Sequence, residues 1–248
     1  MTEQHIRIPM PDGEADAVLF KPDNASGAPL PGVIDLPDIG GIRDASMQMS
    51  RRLAGEGYLV LLPNPFYRVS APPVFSFAMN FAEPRTEQRF AELIKPLTPD
   101  AIHADGRAYV AALDRNGAAP GPIAILGHCF TGALALRTAA ALPDRIAAVA
   151  FFHGGGLFKA GDPISPHTEL PQVKATLYFG HAKEDGSMNA EAIQHLEHAL
   201  KEWGGSYEST TFDAHHGWTV PDSAAYNELE AEKAYSQLKE LLASTLQK

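Results

Sequence analysis

The most informative stretch of the chain is residues 123–135, which read IAILGHCFTGALA. The apolar residues before Gly127 are typical of a buried strand, and the Ala- and Leu-rich residues after Gly132 are typical of a helix. Between the two stands Cys129, and the small residues nearby on either side, Gly127 and Gly132, allow the backbone to turn sharply. A strand that turns into a helix at a nucleophilic side chain is the layout of a nucleophile elbow, G-x-Nu-x-G.

Cys129 is the candidate nucleophile of this elbow. The helix that follows points the positive end of its dipole at the thiol, which favours a thiolate, and the Phe130 N–H would help to stabilise an oxyanion. The match is incomplete, because Thr131 stands where the motif has glycine and Gly132 comes one residue later. On the motif alone, a buried structural cysteine stays open as the alternative.

Strand and helix signals alternate outward from the elbow in both directions. The predicted strands are His5–Ile8, Ala15–Phe20, Gly32–Leu36, Tyr58–Leu62, Pro122–Leu126, Ile146–Phe152, Ala175–Phe179 and Tyr207–Phe212. The predicted helices are Ala45–Ala54, Pro99–Asn116, Thr131–Leu142, Ala190–Trp203 and Ala224–Leu246. This alternation predicts an α/β fold with a mostly parallel central sheet and helices on both faces. Such sheets bind ligands at the carboxyl ends of their strands.

One segment, Tyr67–Asp100, does not fit the alternation. It holds several prolines and aromatic residues and has no clear period. Long irregular segments are usually functional, so residues 67–100 are predicted to form a lid or a wall over the site. No repeat or long linker interrupts the chain, and residues 1–248 are predicted to form a single domain.

Composition excludes several classes of protein. The 248 residues carry a net charge of −10 and one cysteine. The acidic balance argues against nucleic-acid binding, and one cysteine permits neither an internal disulfide nor a CxxC metal pair. The first residues lack the apolar core of a signal peptide, and no apolar run is long enough for a bilayer. These features predict a soluble, cytoplasmic protein without a membrane partner.

Two later strand ends carry the groups that a catalytic cysteine needs. An acidic loop with Glu184 and Asp185 follows one strand, and a loop with His215 and His216 follows the next. In hydrolases with this elbow, an acid and then a histidine follow the nucleophile in the chain. Asp185 and Glu184 are both candidate acids, Asp185 is also a candidate cap of the following helix, and either histidine is a candidate base.

At this point the sequence resembles the dienelactone hydrolase family of α/β-hydrolases. The resemblance covers nearly the whole chain and rests on four segments. These are the elbow Gly127-x-Cys129-x-x-Gly132, with Cys where Ser is more usual, Asp35–Arg43, Leu53–Arg68 and His216-Gly217-Trp218. It implies the α/β-hydrolase fold and a hydrolase that cleaves ester or lactone bonds.

The resemblance also implies roles for individual residues. It places the base at His216, the acid at Asp185 and a second oxyanion donor at the backbone N–H of Ile39. Asp38 stands where the family typically has Glu near the thiol, although a turn-forming role is nearly as plausible. Possible substrate-binding residues are Asp38, Arg43, Tyr67, Arg68 and Trp218.

The predicted function is hydrolysis of a small-molecule ester or lactone by the triad Cys129, His216 and Asp185. The chemistry needs no cofactor and no metal. The alternative is a non-catalytic or redox-sensing protein on the same scaffold, which the altered elbow and acid loop leave open. The sequence predicts neither the physiological substrate nor the oligomeric state.

Overall fold

A computed structural model describes residues 1–23 and 27–246 of the chain. This part forms two compact units, Met1–Pro120 and the residues from Gly121 onward. Strands and helices alternate in both units, and most strand pairs are parallel, which confirms the predicted α/β class. The single domain over residues 1–248 stays a prediction.

The first unit is built on a hairpin and two parallel strands. Its elements are β1 (Thr2–Met10), β2 (Gly13–Lys21), β3 (Gly32–Leu36), α1 (Asp44–Gly55), β4 (Leu59–Pro63), α2 (Pro84–Ile94) and α3 (Pro99–Arg115). The strand order is β1-β2-β4-β3, in which β1–β2 and β2–β4 are antiparallel and β3–β4 is parallel. Gly13 begins β2 with a φ of 138°, which a side chain would strain, so glycine suits this turn.

The second unit is a four-stranded parallel sheet with the order β5-β6-β7-β8. Its elements are β5 (Ile123–His128), α4 (Thr131–Ala141), β6 (Ile146–Phe152), a 3₁₀ helix (Pro166–Gln172), β7 (Thr176–Glu184), α5 (Ala190–Trp203), β8 (Tyr207–His215) and α6 (Glu228–Leu246). Helix α4 packs on β5 and β6, and α6 packs on β6 and β7. Every residue of β5 is buried, and because successive side chains point to opposite faces, both faces of this strand are covered.

The parallel arrangement of the second unit brings four side chains to one edge. Cys129 follows β5, His153 follows β6, Asp185 follows β7 and His216 follows β8. Parallel strands end on the same side of a sheet, so these four residues are neighbours although 87 positions separate Cys129 from His216 in the sequence.

Several features of the fold differ from the sequence prediction. The segment Tyr67–Asp100 contains helix α2, which buries only Thr86 and Leu93. The 3₁₀ helix was not predicted, and the last helix begins at Glu228 rather than Ala224. Asn227 stops that helix from starting earlier, since its N–H donates to the carbonyl of Trp218 at 3.1 Å and its side chain accepts from the first turn. The lid role of residues 67–100 stays a prediction.

Candidate active site

Cys129 occupies a strained turn between β5 and α4. Its φ is +58°, a left-handed conformation that is uncommon outside glycine. The Cys129 N–H donates to the carbonyl of Phe152 at 3.0 Å, and the Cys129 carbonyl accepts from Gly155 at 3.0 Å, so the end of β6 fixes the turn from both sides. The thiol is partly exposed, unlike a buried structural cysteine.

The irregular elbow motif has a steric explanation. A Cβ on Gly127 would lie 2.6 Å from the Thr131 carbonyl oxygen, and one on Gly132 would lie 3.0 Å from the Cα of Gly154. The backbone therefore needs glycine at these two positions. Thr131 is tolerated between them because its hydroxyl bridges the turn, accepting from the His128 N–H at 3.0 Å and donating to the His128 carbonyl at 2.9 Å.

Asp185 is the carboxylate that reaches the histidine loop. It is buried, and its Oδ2 lies 2.8 Å from Nδ1 of His216, while Glu184 is exposed. Its other oxygen, Oδ1, accepts from the backbone N–H of Ser187 at 2.8 Å and from that of Met188 at 3.3 Å. Helix α5 is capped by a different residue, Asn189, so the helix-capping alternative for Asp185 does not hold.

The two histidines of the second loop have different surroundings. His215 ends β8 as an exposed residue, whereas Nδ1 of His216 lies 2.8 Å from Oδ2 of Asp185, and both Asp185 and Cys129 act on the pKa of its ring. Burial acts to lower the pKa of His216, but the hydrogen bonds and negative charges of these two partners raise it to about 10. Burial acts to raise the pKa of Asp185, yet its bonds to His216 and Ser187 hold it below the usual range. The arrangement thus favours an imidazolium beside the Asp185 carboxylate.

Sequence reasoning did not single out two further residues at this edge. The Ser187 hydroxyl donates to Asp185 Oδ1 at 2.6 Å and lies 3.2 Å from Nδ1 of His216. The His153 ring lies 4.9 Å from the His216 ring, centre to centre, at an angle of 66°. The position of His153 directly after a buried strand was the signal that could have revealed it, since neighbouring parallel strand ends meet at one edge.

The two predicted oxyanion donors fall in different units. Phe130 lies at the N-cap of α4 in helical conformation, so its amide belongs to the positive end of that helix. Ile39 is a buried residue of the first unit, and its role stays a prediction.

Asp38 and Arg43 bind each other. The Arg43 guanidinium donates to both carboxylate oxygens of Asp38, at 2.5 and 2.9 Å. Asp38 Oδ1 also accepts from the Gly40 N–H at 2.9 Å, which is a turn-forming contact. A substrate carboxylate would have to compete with Asp38 for this arginine.

Tyr67 and Arg68 belong to a buried polar cluster. The Arg68 guanidinium donates to both oxygens of Asp105, at 2.6 and 2.9 Å, and to Asp12 at 2.7 Å. The Tyr67 hydroxyl donates to Asp105 at 3.0 Å, and the guanidinium stacks on its ring at 4.6 Å. These contacts anchor the chain after β4 to helix α3. These contacts favour a structural role for both residues over substrate binding, because their polar atoms already bond the buried Asp105.

Trp218 does not line an open surface. It is fully buried and packs against Phe212, with ring centres 4.4 Å apart, and against His153 at 6.3 Å. This burial disfavours contact between Trp218 and a substrate, and its substrate-binding role stays a prediction; its large ring packs within the histidine loop.

In the described residues, 1–23 and 27–246, no group of three or more His, Cys, Asp or Glu side chains could hold a metal ion. In the same part of the chain, every helix is too short or too polar to cross a bilayer.

A family model described as "Dienelactone hydrolase family" matches residues 15–246. The chain belongs to this family. This confirms the resemblance found in the sequence and makes the protein a hydrolase of the dienelactone-hydrolase kind, which acts on ester or lactone bonds. Family membership favours this function over the non-catalytic alternative.

Relatives and solved structures agree with the family. A Salmonella typhi protein named "Putative carboxymethylenebutenolidase" is 27% identical over 241 residues, covering 95% of this chain and 85% of its own length. The "Carboxymethylenebutenolidase" of Rhodococcus opacus is 25% identical over 181 residues, covering 73% of this chain and 67% of its own. The structure described as "Putative Dienelactone Hydrolase from Klebsiella pneumoniae" superposes with a TM-score of 0.86 at 22% identity and covers 98% of both chains. This likeness confirms the α/β-hydrolase fold.

Proposed function

We propose that this dienelactone hydrolase family member cleaves its ester or lactone bond with the triad Cys129, His216 and Asp185. One observation carries the proposal: Nδ1 of His216 hydrogen-bonds Asp185 at 2.8 Å, and Cys129 is the other neighbour that raises the pKa of this ring. A nucleophile, a base and an orienting acid in this sequence of contacts form the triad of nucleophilic catalysis.

The proposed reaction starts from a charged pair. With a pKa of about 10, His216 holds a proton at neutral pH, and its positive charge stabilises the Cys129 thiolate beside it. The thiolate attacks the carbonyl carbon, a C–S bond forms, and the carbonyl electron pair moves to oxygen. The Phe130 amide at the start of α4 stabilises this oxyanion, and Ile39 is the sequence-based prediction for a second donor.

The tetrahedral intermediate then collapses. The C–O bond to the leaving group breaks, the leaving oxygen takes the proton from His216, and a thioester to Cys129 remains. In a lactone the leaving hydroxyl stays tethered to the acyl group. Asp185 holds the imidazole in the orientation needed for this transfer and stabilises its charged form.

Water completes the cycle. Neutral His216 takes a proton from a water molecule as its oxygen attacks the thioester carbonyl. The C–S bond breaks, the carboxylic acid leaves, and the thiolate and imidazolium are restored. Every proton is accounted for by water and His216, so no additional reactant is required.

The nucleophile limits the substrate class. A thiolate is a good leaving group, so attack on an amide reverts unless the amine is protonated in time, whereas an enol or phenol leaves readily. Activated esters and lactones therefore suit Cys129 better than peptides. The names of the curated relatives point the same way, toward a butenolide lactone.

The test is a panel of activated esters, lactones, thioesters and peptides, assayed with the wild type and Cys129→Ala. We expect ester and lactone hydrolysis by the wild type, no peptide cleavage, and a loss of several orders of magnitude in kcat for the variant. Circular dichroism controls for folding. A wild-type protein that cleaves peptides but no ester or lactone would overturn the proposal.

A further inference from the structure

His153 is a buried histidine that the triad chemistry does not use. It directly follows β6, and only 1% of its surface is exposed. Its φ is +42°, so a non-glycine residue adopts a left-handed conformation at the edge that carries the triad. Strained residues of this kind persist only where the surrounding structure holds them, and they cluster at functional sites.

Three contacts hold His153 in place. Its backbone N–H donates to the Gly180 carbonyl of β7 at 2.8 Å. Its Nε2 lies 2.9 Å from Oγ1 of Thr219, three residues beyond the base in the histidine loop. Its ring stands at 66° to the His216 ring, with centres 4.9 Å apart. His153 therefore connects the end of β6 to the loop that carries His216.

The surroundings of His153 favour the neutral ring. Burial lowers its pKa well below 6.5, and the facing rings of His216 and His128 act in the same direction. Among the described residues, its Nδ1 has no hydrogen-bond partner. If Nδ1 carried a proton, its N–H would be buried without an acceptor. The favoured tautomer therefore carries its proton on Nε2 and donates it to Thr219.

The Asp185 hydrogen bond holds the Nδ1 side of the His216 ring, and a change in the side-chain torsion angles of His216 would break this bond and move Nε2 away from the thiol. The His153 ring packs against the His216 ring at 66° with centres 4.9 Å apart, and this contact opposes such a movement. The His153 ring must be neutral for this role, because a second imidazolium 4.9 Å away would disfavour the positive charge on His216.

We propose that His153 is a positioning residue that fixes the plane of the His216 ring between Cys129 and Asp185. This role rests on the proposed triad. His153 itself touches neither the substrate nor the reacting atoms, so its effect is on kcat through His216.

The test replaces His153 with asparagine, which tolerates a positive φ but lacks the ring, and with phenylalanine, which keeps a ring of similar size. His181→Asn is the matched control, because His181 is also buried and lies in β7 against Phe179. Ester hydrolysis gives kcat and KM. The downfield proton NMR signal of the His216–Asp185 hydrogen bond reports, without any substrate, whether the His216 ring is held in place.

We expect His153→Asn to lower kcat by roughly 10- to 100-fold at nearly constant KM and to broaden the downfield signal. His153→Phe should restore kcat to within about threefold of the wild type and keep the signal, as should the control. If His153→Asn does not fold, His153→Gly replaces it, since glycine adopts the same φ without strain.

The inference is overturned if His153→Asn keeps the wild-type kcat and a sharp downfield signal, or if His181→Asn lowers kcat by the same factor. It is also overturned if phenylalanine fails to rescue a folded protein. Failure of the proposed function would look different, because Cys129→Ala would then remain active whatever stands at position 153.

Discussion

Replacing Asp185 with asparagine should inactivate the enzyme while leaving its fold intact. Asp185 Oδ1 accepts from the Ser187 hydroxyl and from two backbone N–H groups. The asparagine oxygen would keep these three donors, which turns its NH₂ group toward Nδ1 of His216. Nδ1 must then accept instead of donate, and the ring is forced into the tautomer that carries its proton on Nε2.

The magnitude can be worked from the His216 pKa. A rise from 6.5 to about 10 corresponds to roughly 5 kcal/mol of net preference for the imidazolium, which remains after the opposing effect of burial. Losing the Asp185 carboxylate removes part of this preference and slows the steps that need the imidazolium. The wrong tautomer adds to this, so we expect kcat to fall on the order of 10³- to 10⁴-fold.

Two assays measure the effect. Hydrolysis of an activated ester gives kcat, and NMR titration of the His216 ring gives its pKa, which should fall in Asp185→Asn because the carboxylate that raises it is gone. Glu184→Gln is the matched control, because it neutralises the exposed neighbouring carboxylate and should change neither quantity. An Asp185→Asn enzyme with a His216 pKa still near 10 and kcat within a few-fold of the wild type would refute the assignment of the acid.

Ser187→Ala should lower kcat by roughly 3- to 10-fold with KM unchanged, since its hydroxyl bonds Asp185 at 2.6 Å; an unaltered kcat in steady-state hydrolysis would contradict this. Burial lowers the pKa of His181 from 6.5 to about 4, so the unfolded chain takes up this proton first and stability is lost as pH falls through that window. Urea denaturation at pH 7 and pH 4.5 should show a loss of about 2–3 kcal/mol from this group, absent in His181→Phe. Gly127→Ala should strongly destabilise the protein, as its Cβ would lie 2.6 Å from the Thr131 carbonyl oxygen. Gly186→Ala, with no described atom within 4 Å of the added Cβ, should leave Tm nearly unchanged.

Much of the fold was predictable because its strands are short, apolar and cleanly bounded. Strands β3 and β6 and helix α5 begin and end at the predicted residues, since glycine, proline or a cap marks their ends. Strand β8 runs three residues past the prediction, to His215, across an irregularity in its register with β7, and these residues carry no apolar run. Helix α2 was not predicted, and it buries only Thr86 and Leu93.

The contact between His216 and Asp185 was predictable because parallel strand ends meet at one edge of a sheet. The supporting contacts were not, because they depend on side-chain directions. No sequence pattern shows that Arg68 bonds Asp105 or that the buried Trp218 ring packs against His153. The role of Ser187 likewise becomes visible only in the structure, where its hydroxyl donates to Asp185.

The central claim is that the acyl group passes through Cys129, and rapid-quench mass spectrometry tests it most directly. Wild-type protein mixed with p-nitrophenyl acetate should gain one acetyl group during the burst, and peptide mapping should place that group on Cys129. Cys129→Ala should show no adduct and lose turnover by several orders of magnitude. An acyl group on another residue, or an alanine variant that turns over near the wild-type rate, would contradict the account.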